Sequence, residues 1–305
     1  MALLPENHDE RLTRAFLSLE GLAIGDAFGE MLAYQCASAR ERVERGLSAG
    51  PWFHTDDTEM ALSLFETLKF CGRVDANDLA LRFAERFRRD PERGYGSMAR
   101  QILKKILAGQ PWKEAADSAF GGTGSMGNGA AMRVAPLGAY FAEELETELR
   151  AEAILSAITT HSHREGQAGA IAVAVAAAMA WRLRGQPKDA AAAELLRIVY
   201  ERTPPGETRV GLARACDLSF TTSAPLAGRI LGNGSAVTAP DTVPFAIWSA
   251  ARHLDNYQEA LVETVIADGN CDTNCAIVGG IVALFAGRES IPADWREARE
   301  PFDFR

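Results

Sequence analysis

Cysteine is scarce in this chain, and its pattern excludes two large classes of protein. The five cysteines, Cys36, Cys71, Cys216, Cys271 and Cys275, are odd in number, widely spaced and without a Cys-x-x-Cys pair. That pattern excludes a disulfide framework of the small secreted type, and reduced thiols are expected. Cys271 and Cys275 stand four apart, but no His or further Cys lies beside them to complete a zinc set. A basic balance is missing as well. The net charge of −9 argues against a general nucleic-acid binder, so no nucleic-acid partner is expected. Long apolar runs are also lacking. The longest, residues 168–181, is rich in alanine, too short for a membrane span and suited to a buried helix. Residues 1–10 are polar and carry no apolar segment of signal-peptide type. A cytoplasmic, monomeric protein without a membrane partner is the expectation. The Walker pattern GxxxxGK[ST] is absent, and no stretch alternates with period two between hairpin turns.

What is present is helical periodicity. Residues 9–34 carry Leu12, Phe16, Leu19, Leu22, Ala23 and Ala27 on one face, with Gly21, Gly25 and Gly29 four apart on a smooth groove. That groove serves either close helix packing or access to Asp26. Residues 35–54 read as a loop. Further helices are expected over 57–71, 75–89, 97–108, 111–119, 147–160, 165–184, 188–201, 208–218, 223–231, 242–253, 256–267 and 271–287. The tail from 291 to 305 is polar, holds Pro292 and Pro301, and reads as surface-draped. No linker or shift in composition interrupts the chain. The expected architecture is all-α, one compact multi-helix domain over residues 1–305.

Two polar clusters stand out against the apolar pattern. Thr55-Asp56-Asp57-Thr58, followed by Glu59, opens one apolar helix, and Asp268-Gly269-Asn270-Cys271-Asp272-Thr273-Asn274 opens another. Thr, Asp and Asn are preferred N-caps, and acids complement the first turn of a helix. Capping, however, needs one side-chain oxygen, and each cluster offers three or more. Crowded carboxylates repel unless a cation neutralises them, and oxygen ligands of this kind suit Mg²⁺, Mn²⁺ or Ca²⁺. A glycine-rich stretch, residues 121–129, precedes an apolar run and is either a flexible loop or a backbone cradle for phosphate. His161 and His163 lie two apart, off a common helical face, at what reads as a helix start.

Five blocks, in order, resemble the ADP-ribosylglycohydrolases: Gly21-Leu-Ala-Ile-Gly-Asp-Ala-Phe-Gly29, Trp52-Phe-His-Thr-Asp-Asp-Thr-Glu-Met-Ala-Leu62, Gly127-Asn-Gly-Ala-Ala-Met-Arg-Val-Ala-Pro-Leu-Gly138, Thr160-His161, and Gly269-Asn-Cys-Asp-Thr-Asn-Cys-Ala-Ile-Val-Gly-Gly280. The resemblance implies an all-α fold of more than ten helices with two Mg²⁺ (or Mn²⁺) ions in a central cleft. It implies Thr55, Asp56 and Asp57 as one ligand set and Asp272 and Thr273 as a second. Gly127, Asn128, Gly129 and Met132 match the loop that cradles ADP-ribose, and His161 matches a cleft residue near the ribose and phosphates. Two positions depart from the family pattern. Asn270 stands where the late block reads Asp-x-Asp-Thr; its amide oxygen can still ligate, but one charge is lost and the second metal site is weakened. Ala33 stands where many members carry Glu, while Glu30 lies next to the first motif.

The implied activity is metal-dependent hydrolysis of the glycosidic bond between ADP-ribose and a modified side chain, arginine first. Asp56, Asp57 or Glu30 would serve as the acid or base. The partner would be an ADP-ribosylated protein or a small ADP-ribosyl conjugate. The alternatives are a non-catalytic ADP-ribose or nucleotide binder, with Asn270 as the mark of loss, and a hydrolase of another ADP-ribosyl conjugate.

Overall fold

A computed structural model of the protein describes residues 4–145 and 147–304. Among the described residues the chain forms seventeen α-helices and no strand. The first six are α1 (His8–Leu32), α2 (Ala39–Arg45), α3 (Asp56–Cys71), α4 (Ala76–Arg89), α5 (Ser97–Leu107) and α6 (Trp112–Asp117). Then come α7 (Gly129–Met132), α8 (Ala135–Tyr140), α9 (Glu148–Ile158), α10 (Arg164–Leu183), α11 (Lys188–Arg202) and α12 (Glu207–Asp217). The last five are α13 (Ala224–Leu231), α14 (Ala239–Arg252), α15 (Tyr257–Ile266), α16 (Cys271–Ala286) and α17 (Ala293–Ala298). One hydrophobic cluster runs through them from Ala15 to Ala298.

The ends of the helices follow ordinary chemistry. Thr55 caps α3 by accepting from the Asp57 N–H, and Gly72 ends that helix at φ 68°. Asp75 caps α4 through the N–H groups of Asn77 and Asp78. The alanine-rich α10 is long and apolar enough to cross a bilayer, yet it is the core helix, packed on α7, α8, α9, α11, α14 and α16. Its small side chains let so many neighbours approach.

The three glycines of α1 serve close packing. Gly21, Gly25 and Gly29 face Gly279, Cys275 and Cys271 of the antiparallel α16. A Cβ added to them would lie 2.5, 2.1 and 2.3 Å from those carbonyl oxygens. Backbone thus rests on backbone. The Ser18 hydroxyl donates to Gly280 O at 2.8 Å across this contact, and Tyr257, at the start of α15, donates its hydroxyl to Gly21 O at 2.6 Å.

Two expectations are corrected here, for residues 35–54 and the tail, and one stretch left open is resolved. The stretch 35–54 is not a plain loop: Cys36–Ser38 forms a 3₁₀ turn and α2 follows. The run after the glycine loop folds as two short helices, α7 and α8. The C-terminal tail is docked, not draped. Trp295 in α17 stacks on Phe28 with ring centroids 4.7 Å apart and meets Trp52 at 5.7 Å. The Trp52 N–H donates to Ala298 O at 2.6 Å, and the Glu300 N–H donates back to Trp52 O at 3.0 Å. The partners of Trp295 lie far away in sequence, so its local polar surroundings concealed them. This docking steadies residues 52–54, which lead into Thr55.

Gly25→Ala should therefore be among the most damaging single-methyl additions, lowering stability by about 3 kcal/mol through overpacking. Gly96→Ala, where a Cβ meets nothing within 4 Å, should cost about 1 kcal/mol or less. Urea unfolding of the two variants checks this, and a Gly25→Ala protein as stable as its parent would contradict the close packing.

Candidate active site

The N-termini of α3 and α16 converge beside the middle of α1, and the glycine packing brings them there. Asp26 sits between Gly25 and Gly29, fully buried. Its Oδ2 accepts from the Thr55 N–H (2.9 Å), the Thr58 N–H (3.1 Å) and the Thr58 hydroxyl (2.6 Å), and its Oδ1 accepts from the Thr55 hydroxyl (2.8 Å). One carboxylate thus shapes the entire first turn of α3. Burial pushes the Asp26 carboxyl up to about 6, partly opposed by His54 and the Thr58 hydrogen bond.

Asp56 and Asp57 are buried beside it. The Asp56 N–H is held by Arg93 O at 2.6 Å. Burial raises the Asp56 carboxyl well above the usual range, and Asp26 and Asp272 add to the rise. Asp57 is raised in the same way by burial, then by Asp272, Asp26 and Asp56, against a hydrogen bond from Thr273. Its Oδ2 is buried with no hydrogen-bond partner. Buried polar atoms in proteins are nearly always paired, so this oxygen faces something else.

From the far end of the chain, α16 supplies half-buried Asp272 and buried Thr273. Asn270 links them to the glycine loop: its Oδ1 accepts from Asn128 Nδ2 at 3.0 Å, and its Nδ2 donates to Asp272 Oδ1. In this arrangement Asn270 orients Asp272. Glu30, exposed in the last turn of α1, lies at the rim; burial and then the charge of Asp272 raise its carboxyl.

The glycine loop forms the next wall. Asn128 also donates to Thr242 Oγ1 at 3.0 Å, and Met132 is buried in α7. A Cβ on Gly127 or Gly129 would lie 3.1 Å from His161 Nε2, so the bare glycines lie against that nitrogen. Which ring nitrogen carries the proton follows from the neighbouring bonds. Fully buried Arg133 donates to Thr160 Oγ1 at 3.0 Å, and that hydroxyl lies 2.7 Å from His161 Nδ1. Arg133 occupies one lone pair of Oγ1, and among the described residues the hydroxyl proton has no other acceptor, so every group is paired when that proton points to Nδ1 and the ring proton sits on Nε2 beside Gly127 and Gly129. Burial, with help from Arg133, lowers His161 to about 3, so the ring is neutral. Arg133 itself is lowered to about 9 by burial, opposed by the charge of Asp56.

The structure therefore brings Thr55, Asp56, Asp57, Asn270, Asp272 and Thr273 together and sets Gly127, Asn128, Gly129, Met132 and His161 alongside. Two members of the first polar cluster turn away. Thr58 serves Asp26, and Glu59 bonds His54 at 3.0 Å and Arg86 at 2.9 Å. Burial alone would raise Glu59, but those two partners hold it down to about 2. Sequence reasoning missed the organising role of Asp26 and the Arg133–Thr160 support of His161. A signal existed for the first, since an acid between two helical glycines is out of place on a packing face.

The donor set suits a hard divalent cation. Asp26, Asp56, Asp57 and Asp272 raise one another or are raised by burial, and Asp57 keeps an unpaired oxygen; a cation at Asp56, Asp57, Asp272 and Thr273 would relieve both conditions. The N-termini of α3 and α16 add favourable dipole ends.

A family model described as ADP-ribosylglycohydrolase matches residues 7–304. ADP-ribosylhydrolase ARH3 of Gallus gallus is 30% identical over 82% of this chain and 74% of its own length. ADP-ribosyl-[dinitrogen reductase] glycohydrolase of Rhodospirillum rubrum is 26% identical over 95% of this chain and 90% of its own. A solved structure titled ADP-ribosylglycohydrolase-related protein complex superposes with a TM-score of 0.67 at 28% identity, covering 94% of this chain and 92% of that one.

Nitrogen-15 NMR of the imidazoles tests the tautomer. His161 should stay neutral with its proton on Nε2 until the pH falls toward about 3, and Thr160→Val should mix the two tautomers. A His161 that titrates near 6.5, the ordinary histidine value, would refute the assignment.

Proposed function

Because this chain belongs to the ADP-ribosylglycohydrolase family, we propose that it hydrolyses the glycosidic bond between C1″ of ADP-ribose and a modified side chain, releasing ADP-ribose. The observation that carries this reading is the buried, partnerless Asp57 Oδ2 within a nest of four carboxylates. Asp56, Asp57, Asp272 and Thr273 would hold one or two Mg²⁺ or Mn²⁺ ions. When bound, such ions supply charge that orients sugar hydroxyls and lowers the pKa of a ligated water.

The protein's own groups account for the remaining roles. Asp26 holds Thr55 and the first turn of α3 in position by four hydrogen bonds, so the Asp56 and Asp57 carboxylates are presented without further reorganisation. His161, neutral, would offer its Nε2–H beside Gly127 and Gly129 to an acceptor such as a phosphate oxygen. Asp57 or Asp56 accepts a proton from the attacking water as the bond to C1″ lengthens through an oxocarbenium-like state. Glu30 at the rim, with a raised carboxyl, exchanges protons with the leaving group. When ionised, its charge would favour a cationic acceptor, which supports arginine as the acceptor to test first.

A second reading, a non-catalytic ADP-ribose binder, draws on Asn270, which lacks a carboxylate and spends its amide on Asn128 and Asp272. Incubation with arginine-ADP-ribosylated protein separates the two. We expect release of ADP-ribose with Mg²⁺ or Mn²⁺, abolished by EDTA, and a loss of about 100-fold or more in Asp57→Asn. Release only from a serine-linked conjugate would keep the hydrolase and replace the acceptor. Binding of ADP-ribose without any release would establish the binder.

Asn270→Asp should raise cation affinity and lower stability in EDTA, because it adds a charge beside Asp272. Equal Mg²⁺ dependence in parent and variant would show that position 270 does not sense the ion.

Asp26, raised to about 6 from 3.8, favours the folded state while protonated. That contribution is full below about 3.8 and is lost as pH rises through about 6. His161 acts in the opposite sense, since its lowered value gives stability that is lost as pH falls below 6.5 toward about 3. Comparing melting with and without Mg²⁺ cancels the histidine. The Mg²⁺-induced rise in Tm should grow with pH above the ordinary carboxylate range, as the raised carboxyls of Asp56, Asp57 and Asp272 release their protons. A shift independent of pH would argue against carboxylate ligation.

A further inference from the structure

Next to the carboxylate nest lies a second group of potential ligands that the proposed reaction does not use. Cys36 Sγ stands 3.4 Å from Cys271 Sγ and 3.5 Å from Asp268 Oδ1. The three ligand atoms all lie within 4.8 Å of one another. We propose that Cys36, Asp268 and Cys271 form a binding site for a soft divalent cation of the Zn²⁺ or Cd²⁺ type, distinct from the hard-cation site at Asp56, Asp57 and Asp272.

The distances fit. Tetrahedral zinc, with bonds of about 2.3 Å to sulfur and about 2.0 Å to oxygen, sets ligand edges of about 3.8 Å for S···S and about 3.5 Å for S···O. The two separations from Cys36, 3.4 and 3.5 Å, lie close to those edges, and the third lies within 4.8 Å, so a small closure of the Asp268–Cys271 turn would complete the set. The ligands come from two segments far apart in sequence, the end of α1 and the turn that opens α16. Cys36 follows α1, Cys271 opens α16, and Gly29 against Cys271 O fixes the two helices together. Asp268 is held in the left-handed region at φ 63°, followed by Gly269 at φ 91°. A Cβ at Gly269 would meet Asn233 O at 2.2 Å, so this turn is pressed against its neighbour. A non-glycine residue in that conformation persists only where the surroundings dictate it.

Access fits as well. The two sulfurs are buried while Asp268 is exposed, so the cluster sits at the edge of the interior, where water would supply a fourth ligand. Binding displaces the two thiol protons, including the one Cys36 now shares with Ala33 O at 3.1 Å. One cation, two thiolates and one carboxylate then carry a net charge of −1, with two protons released to solvent. Two soft sulfur ligands discriminate against Mg²⁺, so the two sites take different ions. Asp268 and Cys271 bracket Gly269 and Asn270, and Asp272 follows directly. A soft cation here ties the segment that bears Asn270 and Asp272 to the end of α1.

The test is a titration of reduced, chelator-treated and desalted protein with Cd²⁺ in saturating Mg²⁺, read by the ultraviolet thiolate-to-metal charge-transfer absorption. We expect saturation at one equivalent per chain and loss of the band in Cys36→Ser. Asp268→Asn keeps both thiols and tolerates the left-handed backbone; it should weaken Cd²⁺ binding roughly tenfold. The double variant Cys71→Ser/Cys216→Ser should keep the band. Absence of the absorption in the parent protein overturns the proposal, as does a band that Cys36→Ser leaves unchanged.

Discussion

The structure depends first on one backbone contact. Along α1 and α16 the absence of side chains at Gly21, Gly25, Gly29 and Gly279 lets two helices meet main chain to main chain. Such an approach tolerates no added methyl, and it positions everything near the chemistry. Asp26 is pressed toward α3, the N-terminus of α16 lies against the last turns of α1, and Asp272 comes within electrostatic reach of Glu30, Asp56 and Asp57. Residues some 250 apart in sequence share a site because their helices share a groove.

Around that contact the protein concentrates negative charge where burial makes it costly. Four carboxylates in or near the interior would ordinarily oppose folding, and their raised pKa values state that opposition. The fold distributes the tension unevenly. Asp26 is satisfied by four donors from Thr55 and Thr58, whereas Asp57 retains an oxygen with none. One acid is the support and another is the open valence. Glu59, in the same sequence cluster, is hydrogen-bonded to His54, ion-paired with Arg86 and belongs to the scaffold.

The opposite wall works through hydrogen-bond direction. Buried Arg133 fixes the Thr160 hydroxyl, and the hydroxyl fixes the His161 ring. The outcome is a neutral donor beside a stretch of bare glycine backbone, in a chain whose other wall is acidic. Asn128 and Asn270 close the ring by joining the two walls through neutral amides, which introduce no further repulsion. The docked tail contributes at a distance: Trp295 and Glu300 hold the Trp52–His54 approach to Thr55.

Much of this was legible in the sequence. The all-α class, most helix positions and the two oxygen-rich clusters all follow from local signals, because periodicity, capping and composition act within a few residues. Membership of the family was legible for the same reason, since its motifs are contiguous. The purpose of the glycines of α1, the docking of Trp295, the turning of Thr58 toward Asp26 and of Glu59 toward Arg86, and the approach of Cys36 to Cys271 were not. Each depends on a partner between 27 and about 270 residues away or on the rotamer a side chain adopts within its own turn, and neither is encoded by spacing. The sequence by itself determined which chemistry the chain carries; the packing of α1 on α16 decided which of those groups face one another, because only a close backbone contact could bring like charges together in the interior.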